Sequence, residues 1–426
     1  MTPSLMLPSR RSAIYTSITY LIVITCLTIP RVIGPSWRSI MSARDMRNLE
    51  GFPVQWEAFL VLRSLHAMST NTVPDDLLTW FSTDEYRATL PIYFAAIVTQ
   101  ITKSYVIGIT FSELAWWWLG AIGVFLFTRN HSSTSVAYFA GLLTCFSPLG
   151  VGHIGSGHLH TASSLSLSVF LAIIWRVFYD TYYSIFIASL LFGGGLYLSS
   201  ITYTYQWFLI PYFLILSLFN YNHQRNYSIC ILGTLIFLII RFSSYGLLGL
   251  GDLFVHSHQN DPIRVLFSRA EEVNSDRNFS DIFSGLASLF LAKLLIVYNL
   301  YKTSYSGVIM SLAAIGAVFV RSNHERLVLA SGIALSVAFG AIYGIPWVIM
   351  CGYPMVYALA SRGICHIHRL TLATIPTGPL HVLKFPAVIF FTQLLLCFCV
   401  GLLTNMDIFG DASFSIIWWQ GWYEPH

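Results

Sequence analysis

The first stretch that could carry chemistry lies between residues 34 and 109. It reads SARDMRNLEGFPVQWEAFLVLRSLHAM and later TVPDDLLTWFSTDEYRATLPIYF, so acids, arginines and aromatic rings alternate. A carboxylate can take the proton from an attacking hydroxyl. An arginine can grip a departing phosphate with two parallel N–H donors. Aromatic rings can stack on sugar faces. Together these are the parts of a sugar-handling site at a membrane surface. Asp45, Glu57, Asp84 and Glu85 are the candidate acids, and Arg44, Arg47 and Arg87 the candidate phosphate holders. The plain alternative is a set of solvated loop charges, because loops that meet water are polar somewhere.

A second constellation is SPLGVGHIGSGHLHTASS, with His153, His158 and His160 on a glycine-rich turn. Histidines there could hold a phosphate, bind a metal or move a proton. Glycines let backbone N–H groups approach an anion. A tight turn with interfacial histidines is the competing reading. Arg241 and Arg362 are further candidates for a lipid or donor phosphate. Arg362 opens SRGICHIHRL, whose spacing is not that of a standard zinc site, so a basic cluster reading phosphates is preferred. Glu113 sits near the start of an apolar run, where it either carries function or snorkels to headgroups. No cofactor is named by these residues; a divalent metal ion is the one that the chemistry could use. No Walker loop, HExxH or GxSxG stands in a usable context, which removes ATP-driven pumps and the common hydrolases.

The elements that position these residues follow from composition. Of 426 residues, 55% are hydrophobic and 10% charged, against about a quarter charged in soluble domains. Mean hydropathy is +0.66. Lipid is the solvent that suits such a chain. A net charge of +4 with no long basic run argues against nucleic acid. The seven cysteines include no CxxC pair and read as small buried hydrophobes.

Ten apolar runs are candidate spans: 13–33, 110–128, 135–152, 161–179, 183–200, 204–219, 227–246, 306–321, 327–345 and 385–404. With Arg10 and Arg11 in the cytoplasm, Arg129, His131, Arg176, His223, Arg225, Arg321 and Arg326 all fall on the same side, as the positive-inside rule expects. That leaves three outer loops, 34–109, 247–305 and 346–384. Segments 91–106 and 283–301 are read as helices lying on the membrane, because counting 283–301 as a span would reverse every later orientation. The expectation is an all-α, polytopic transmembrane bundle of about 10–11 spans. Residues 1–426 form one membrane domain with long outer loops carrying amphipathic interfacial helices.

This layout resembles the GT-C superfamily of polytopic membrane glycosyltransferases. DEYRATLPIYFAAI looks like its acid-then-Pro-aromatic segment, FSELAWWWLGAIGVFLFTRN its second helix, and SVAYFAGLLTCFSPLGVGHIGSGHLH its third. YSGVIMSLAAIGAVFVR and the Gly-His turn are similar to the bacterial YfhO-like branch. The resemblance implies a polyprenyl-phosphate-linked sugar donor and a glycan, lipid or protein acceptor on the outer face. It implies a catalytic acid from the first outer loop and a place in cell-envelope polysaccharide biosynthesis. The implied location is the bacterial inner (plasma) membrane, multi-pass, with a cytoplasmic N-terminus. Two departures stand out: the first loop acid comes as late as Asp45, and no Lys-Pro-Pro follows Glu85. The catalytic acid therefore stays open among Asp45, Glu57, Asp84 and Glu85. The alternative functions are a lipid or solute transporter and a non-catalytic subunit of a membrane complex.

Overall fold

The computed structural model describes residues 10–33, 89–103, 105–153, 164–179, 182–203, 206–219, 223–247, 305–320, 322–343, 350–374 and 386–409. Within them the chain is all helical: α1 Arg10–Ile33, α2 Thr89–Thr102, α3 Tyr105–Arg129, α4 Thr134–Cys145, α5 Pro148–His153, α6 Leu167–Tyr179, α7 Ile185–Tyr203. Then come α8 Gln206–Leu218, α9 His223–Leu247, α10 Tyr305–Val318, α11 Asn323–Tyr343, a 3-10 turn at Met350–Gly352, α12 Tyr353–Thr374 and α13 Pro386–Phe409. The expected all-α bundle is what forms.

Helix α4 is the hub. It packs against α1, α3, α12 and α13. Ser133 caps it from an extended conformation, its Oγ accepting from Val136 N at 3.4 Å. That contact answers one of the N–H groups a helix start leaves open. Val136, Ala137 and Phe139–Cys145 are all buried, so apolar residues cover the whole circumference. Pro148 then starts α5 where its missing N–H costs nothing.

Contacts along neighbouring helices fix their directions. The Trp117 indole donates to Thr144 O at 3.0 Å, so α4 runs back along α3. Ser168 Oγ donates to Gly120 O at 2.8 Å, and Trp175 meets Phe127, so α6 runs parallel to α3. Arg225 donates to Phe178 O at 2.8 Å and Tyr183 O at 3.1 Å, tying the start of α9 to the α6–α7 connection. His324, at the start of α11, faces Trp175. Phe319, just past α10, stacks on His366 of α12. Arg129, Arg176, Arg225, Arg326, Arg362 and Arg369 therefore gather toward one end, here termed the cationic end.

Two expectations change. Segment 346–384 was read as a third outer loop, yet it contains α12, which packs on α4 and reaches the cationic end. Arg362, His366, His368 and Arg369 dilute its hydropathy, while Tyr353 and Met355–Ser361 are buried. Segment 91–106 was expected to lie on the membrane. Instead α2 runs antiparallel along the first turns of α3, with Ser112 Oγ donating to Pro91 O at 3.2 Å. The chain turns between them near Lys103, at φ 55°. Segment 248–304 lies outside the described residues, but its flanking helices both meet it away from the cationic end. The expected interfacial helix 283–301 falls within that segment.

The outside of the bundle is apolar in stripes at helical spacing: Ile14, Ile18 and Ile22 on α1, Ile231, Leu235 and Ile239 on α9, Phe391 and Leu395 on α13. Scattered exposed hydrophobics are ordinary, but contiguous apolar faces of this extent suit lipid. Among the described residues, 107–129 and 387–405 are long and apolar enough to cross a bilayer; the apolar stretches of the other helices are shorter.

α10 and α12 meet backbone to backbone. A Cβ on Gly316 would stand 1.9 Å from Leu359 O, and one on Gly363 2.2 Å from Leu312 O. Neither carbonyl can move without breaking its own helix. Gly316→Val should therefore cost about 1–3 kcal/mol, the usual penalty of overpacking. Gly194→Ala, inside α7 where an added Cβ meets nothing within 4 Å, is the control and should hold or slightly raise the unfolding midpoint. Thermal denaturation of the two variants in one detergent makes the comparison.

Candidate functional site

Side chains that could bind or react gather at the cationic end. The α3–α4 connection is a tight turn: Asn130 N donates to Phe127 O at 3.1 Å, and Ser132 N to Thr128 O at 2.8 Å. That fixes His131, Ser132 and Ser133. Across from it, Ser322 begins α11 as the first residue of an S-x-x-E capping sequence. Glu325 N donates to Ser322 Oγ at 3.4 Å, and Arg326 N to Ser322 O at 2.9 Å. Glu325 thus sits in the first turn of α11, where the helix dipole favours a carboxylate.

The Glu325 side chain turns away from its own cap. Its Oε1 accepts from Ser132 Oγ and from Arg362 Nη2. Arg362 Nη2 also donates to Ser132 Oγ at 3.0 Å, and Nη1 to Phe319 O at 3.4 Å. Glu325 is 3% exposed. One ion pair therefore joins the α3–α4 turn, the end of α10, the start of α11 and the middle of α12.

Beside this pair lies a cavity of about 290 Å³, lined by His131, Ser132, Ser133, Val136, Phe319, Arg362, Cys365, His366 and Arg369. Arg362, Cys365, His366 and Arg369 recur at three or four residues, which places them on one face of α12. The His366 ring stacks on Phe319 at 3.4 Å between centroids. His131 packs edgewise on Phe127 at 4.8 Å and leans on Trp175 at 5.6 Å. Both its ring nitrogens are out of reach of water and without a hydrogen-bond partner. Burial, reinforced by nearby His324 and Arg362, lowers its pKa from 6.5 to about 3, so the imidazole is neutral near pH 7.

Most of the expected site residues fall outside the description. Asp45, Glu57, Asp84, Glu85, Arg44, Arg47, Arg87, His158 and His160 lie outside the described residues. His153 closes α5, and Arg241 lies in the second half of α9; their side chains are likewise outside the description. Arg362 is the one expected site residue whose side chain is described. It bonds Ser132 at the start of α4, whereas His153 follows the other end of that helix, about 18 Å away at 1.5 Å per residue. Glu113, which could have snorkelled to headgroups, is buried at 1% exposure. Among the described residues no three His, Cys, Asp or Glu side chains come together to hold a metal ion. Glu325 was not singled out in the sequence. Its signals were the capping spacing from Ser322 and its position as an acid between His324 and Arg326.

The arrangement is an all-helical bundle with six of its described arginines gathered toward one end. No family model matches the sequence, and no curated protein matches it. Among solved structures, the apo oligosaccharyltransferase of Archaeoglobus fulgidus superimposes with a TM-score of 0.52 at 11% identity, over 97% of this chain and 57% of that one. The oligosaccharyltransferase AglB of the same organism, in complex with an inhibitory peptide and a dolichol-phosphate, aligns at a TM-score of 0.48 and 13% identity, over 93% of this chain and 55% of that one. The chain spans little more than half the length of these proteins. The first likeness establishes a shared fold. It lends nothing to the YfhO-like branch.

Two measurements test the cationic-end geometry. Glu325→Ala leaves Arg362 charged and unmatched, and should cost about 3–5 kcal/mol, as breaking buried pairs does. Glu325→Ala combined with Arg362→Met should recover much of that loss in a double-mutant cycle. His131 provides the second. Its folded pKa lies below the unfolded 6.5, so its contribution is full above pH 6.5 and is lost as pH falls toward 3. Between pH 7 and 5 the chain should lose about 2 kcal/mol at this group, and His131→Gln should flatten that slope in urea titrations.

Proposed function

We propose that this protein is an integral membrane glycosyltransferase of the GT-C type. It moves a sugar or glycan from a polyprenyl-phosphate-linked donor to a glycan, lipid or protein acceptor on the outer face. The observation that carries this reading is the fold shared with an oligosaccharyltransferase across 97% of the chain. The clustering of arginines at one end supports a cytoplasmic placement for that end. His153 at the end of α5, Leu247 at the end of α9 and Tyr305 at the start of α10 then face the opposite side.

The chemistry follows from the first-loop residues. A carboxylate among Asp45, Glu57, Asp84 and Glu85 accepts the acceptor's proton as the acceptor oxygen bonds to the sugar's anomeric carbon. The bond from that carbon to the donor phosphate oxygen breaks, and its electron pair leaves with the phosphate. Arg44, Arg47 and Arg87 hold that phosphate, with His158 and His160 of the Gly-His turn as neighbours. A phosphate-linked sugar brings a good leaving group, so the protein chiefly positions reactants and stabilises charge.

Asp45→Asn, Glu57→Gln, Asp84→Asn and Glu85→Gln test this in liposomes supplied with radiolabelled polyprenyl-phosphate sugar. At least one should lower transfer by about 100-fold or more, the scale of a lost general base. Full activity in all four variants would end the mechanism.

A further inference from the structure

We propose that the cavity at the cationic end binds a phosphate group, separately from any donor site at the opposite face. The argument begins with charge. Six described arginines gather toward this end, and Glu325 is the one described acid there. That acid is held by Arg362 and Ser132 and does not line the cavity. Arg369 does line it, lies two turns beyond Arg362 on the same face of α12, and has no acidic partner among the described residues.

Neutral donors converge on the same space. Ser133 lines it at the N-terminus of α4, a helix of 12 residues whose positive dipole end opens there, while the Ser132 hydroxyl, also on the lining, is already given to Glu325. His131 is on the lining as well, and neither of its ring nitrogens is satisfied within the protein. A buried polar group left without a partner costs about 1–3 kcal/mol, so its persistence points to a ligand that completes it. Phe319 and Val136 give the cavity an apolar wall, and about 290 Å³ exceeds what a lone phosphate needs. A phosphate carrying an organic group therefore suits the shape, and basic pockets between membrane helices take lipid headgroups in this way. Free phosphate offers the same chemistry.

The test uses the full chain in phosphatidylcholine nanodiscs, with Arg369→Gln and His131→Gln. Neither residue belongs to the Glu325–Arg362 pair, and far-UV circular dichroism checks that each variant is folded. Inorganic phosphate is titrated by calorimetry in one arm. Phosphatidylglycerol doped into the nanodiscs is counted by native mass spectrometry in the other. Phosphate binding that weakens ten-fold or more in both variants supports the proposal with free phosphate as a ligand. Phosphatidylglycerol retention that both variants lose supports it with a headgroup as the source. Binding of neither probe by the folded wild type overturns it, as does binding that both variants leave unchanged. None of these outcomes depends on transferase activity, so the two proposals fail separately.

Discussion

A carboxylate removed from water must be answered by its neighbours, and at Glu325 three chain segments are arranged to do so. Ser132 comes from the α3–α4 turn, Arg362 from α12, and Glu325 itself from the first turn of α11. An uncompensated charge at 3% exposure would be costly, whereas a paired one with a hydroxyl completing its bonds is tolerated. Pairs of this kind often add little net stability over apolar packing. What this one does is fix how α11 and α12 meet the turn that begins the hub helix α4.

That constraint explains why the polar and apolar parts of the bundle separate so clearly. α10 and α12 approach closely enough for Gly316 and Gly363 to touch facing backbones, a contact that demands aligned helices rather than strong side-chain chemistry. The Arg362 pair lies one residue from that crossing. The His366 stack on Phe319 continues it outward, and Arg326 Nε donates to Val320 O at 2.9 Å across the same corner. Packing and charge thus reinforce one another at the cationic end, while the outer faces of α1, α9 and α13 stay apolar.

The proposed transfer chemistry has a directional consequence. If transfer takes place beyond the far side of α4, where the Gly-His turn begins, the cationic end is free of that chemistry. Its cavity then serves a different purpose, or anchors the bundle against an anionic leaflet. Arg362 illustrates the division. Its residue type suggested a grip on the donor phosphate, but its position ties it to Glu325 and to the opposite end from His153.

Local signals explain how much of the helical layout was legible in the sequence. Apolar runs and arginines on alternate connections act within a few residues, and they mark most of the bundle's elements; the run 135–152 reads straight through Pro148, where the chain breaks into α4 and α5. Helix α12 escaped because its arginines and histidines resemble loop residues until α4 and α10 cover its other face. Glu325 meets Ser132 across 193 positions and Arg362 across 37, and no local rule couples residues so far apart. The sequence by itself determined which segments bury themselves in an apolar medium, because hydropathy and capping are properties of neighbours along the chain. Only the tertiary structure decided which charges meet, because that depends on how helices far apart in the chain come to share one end of the bundle.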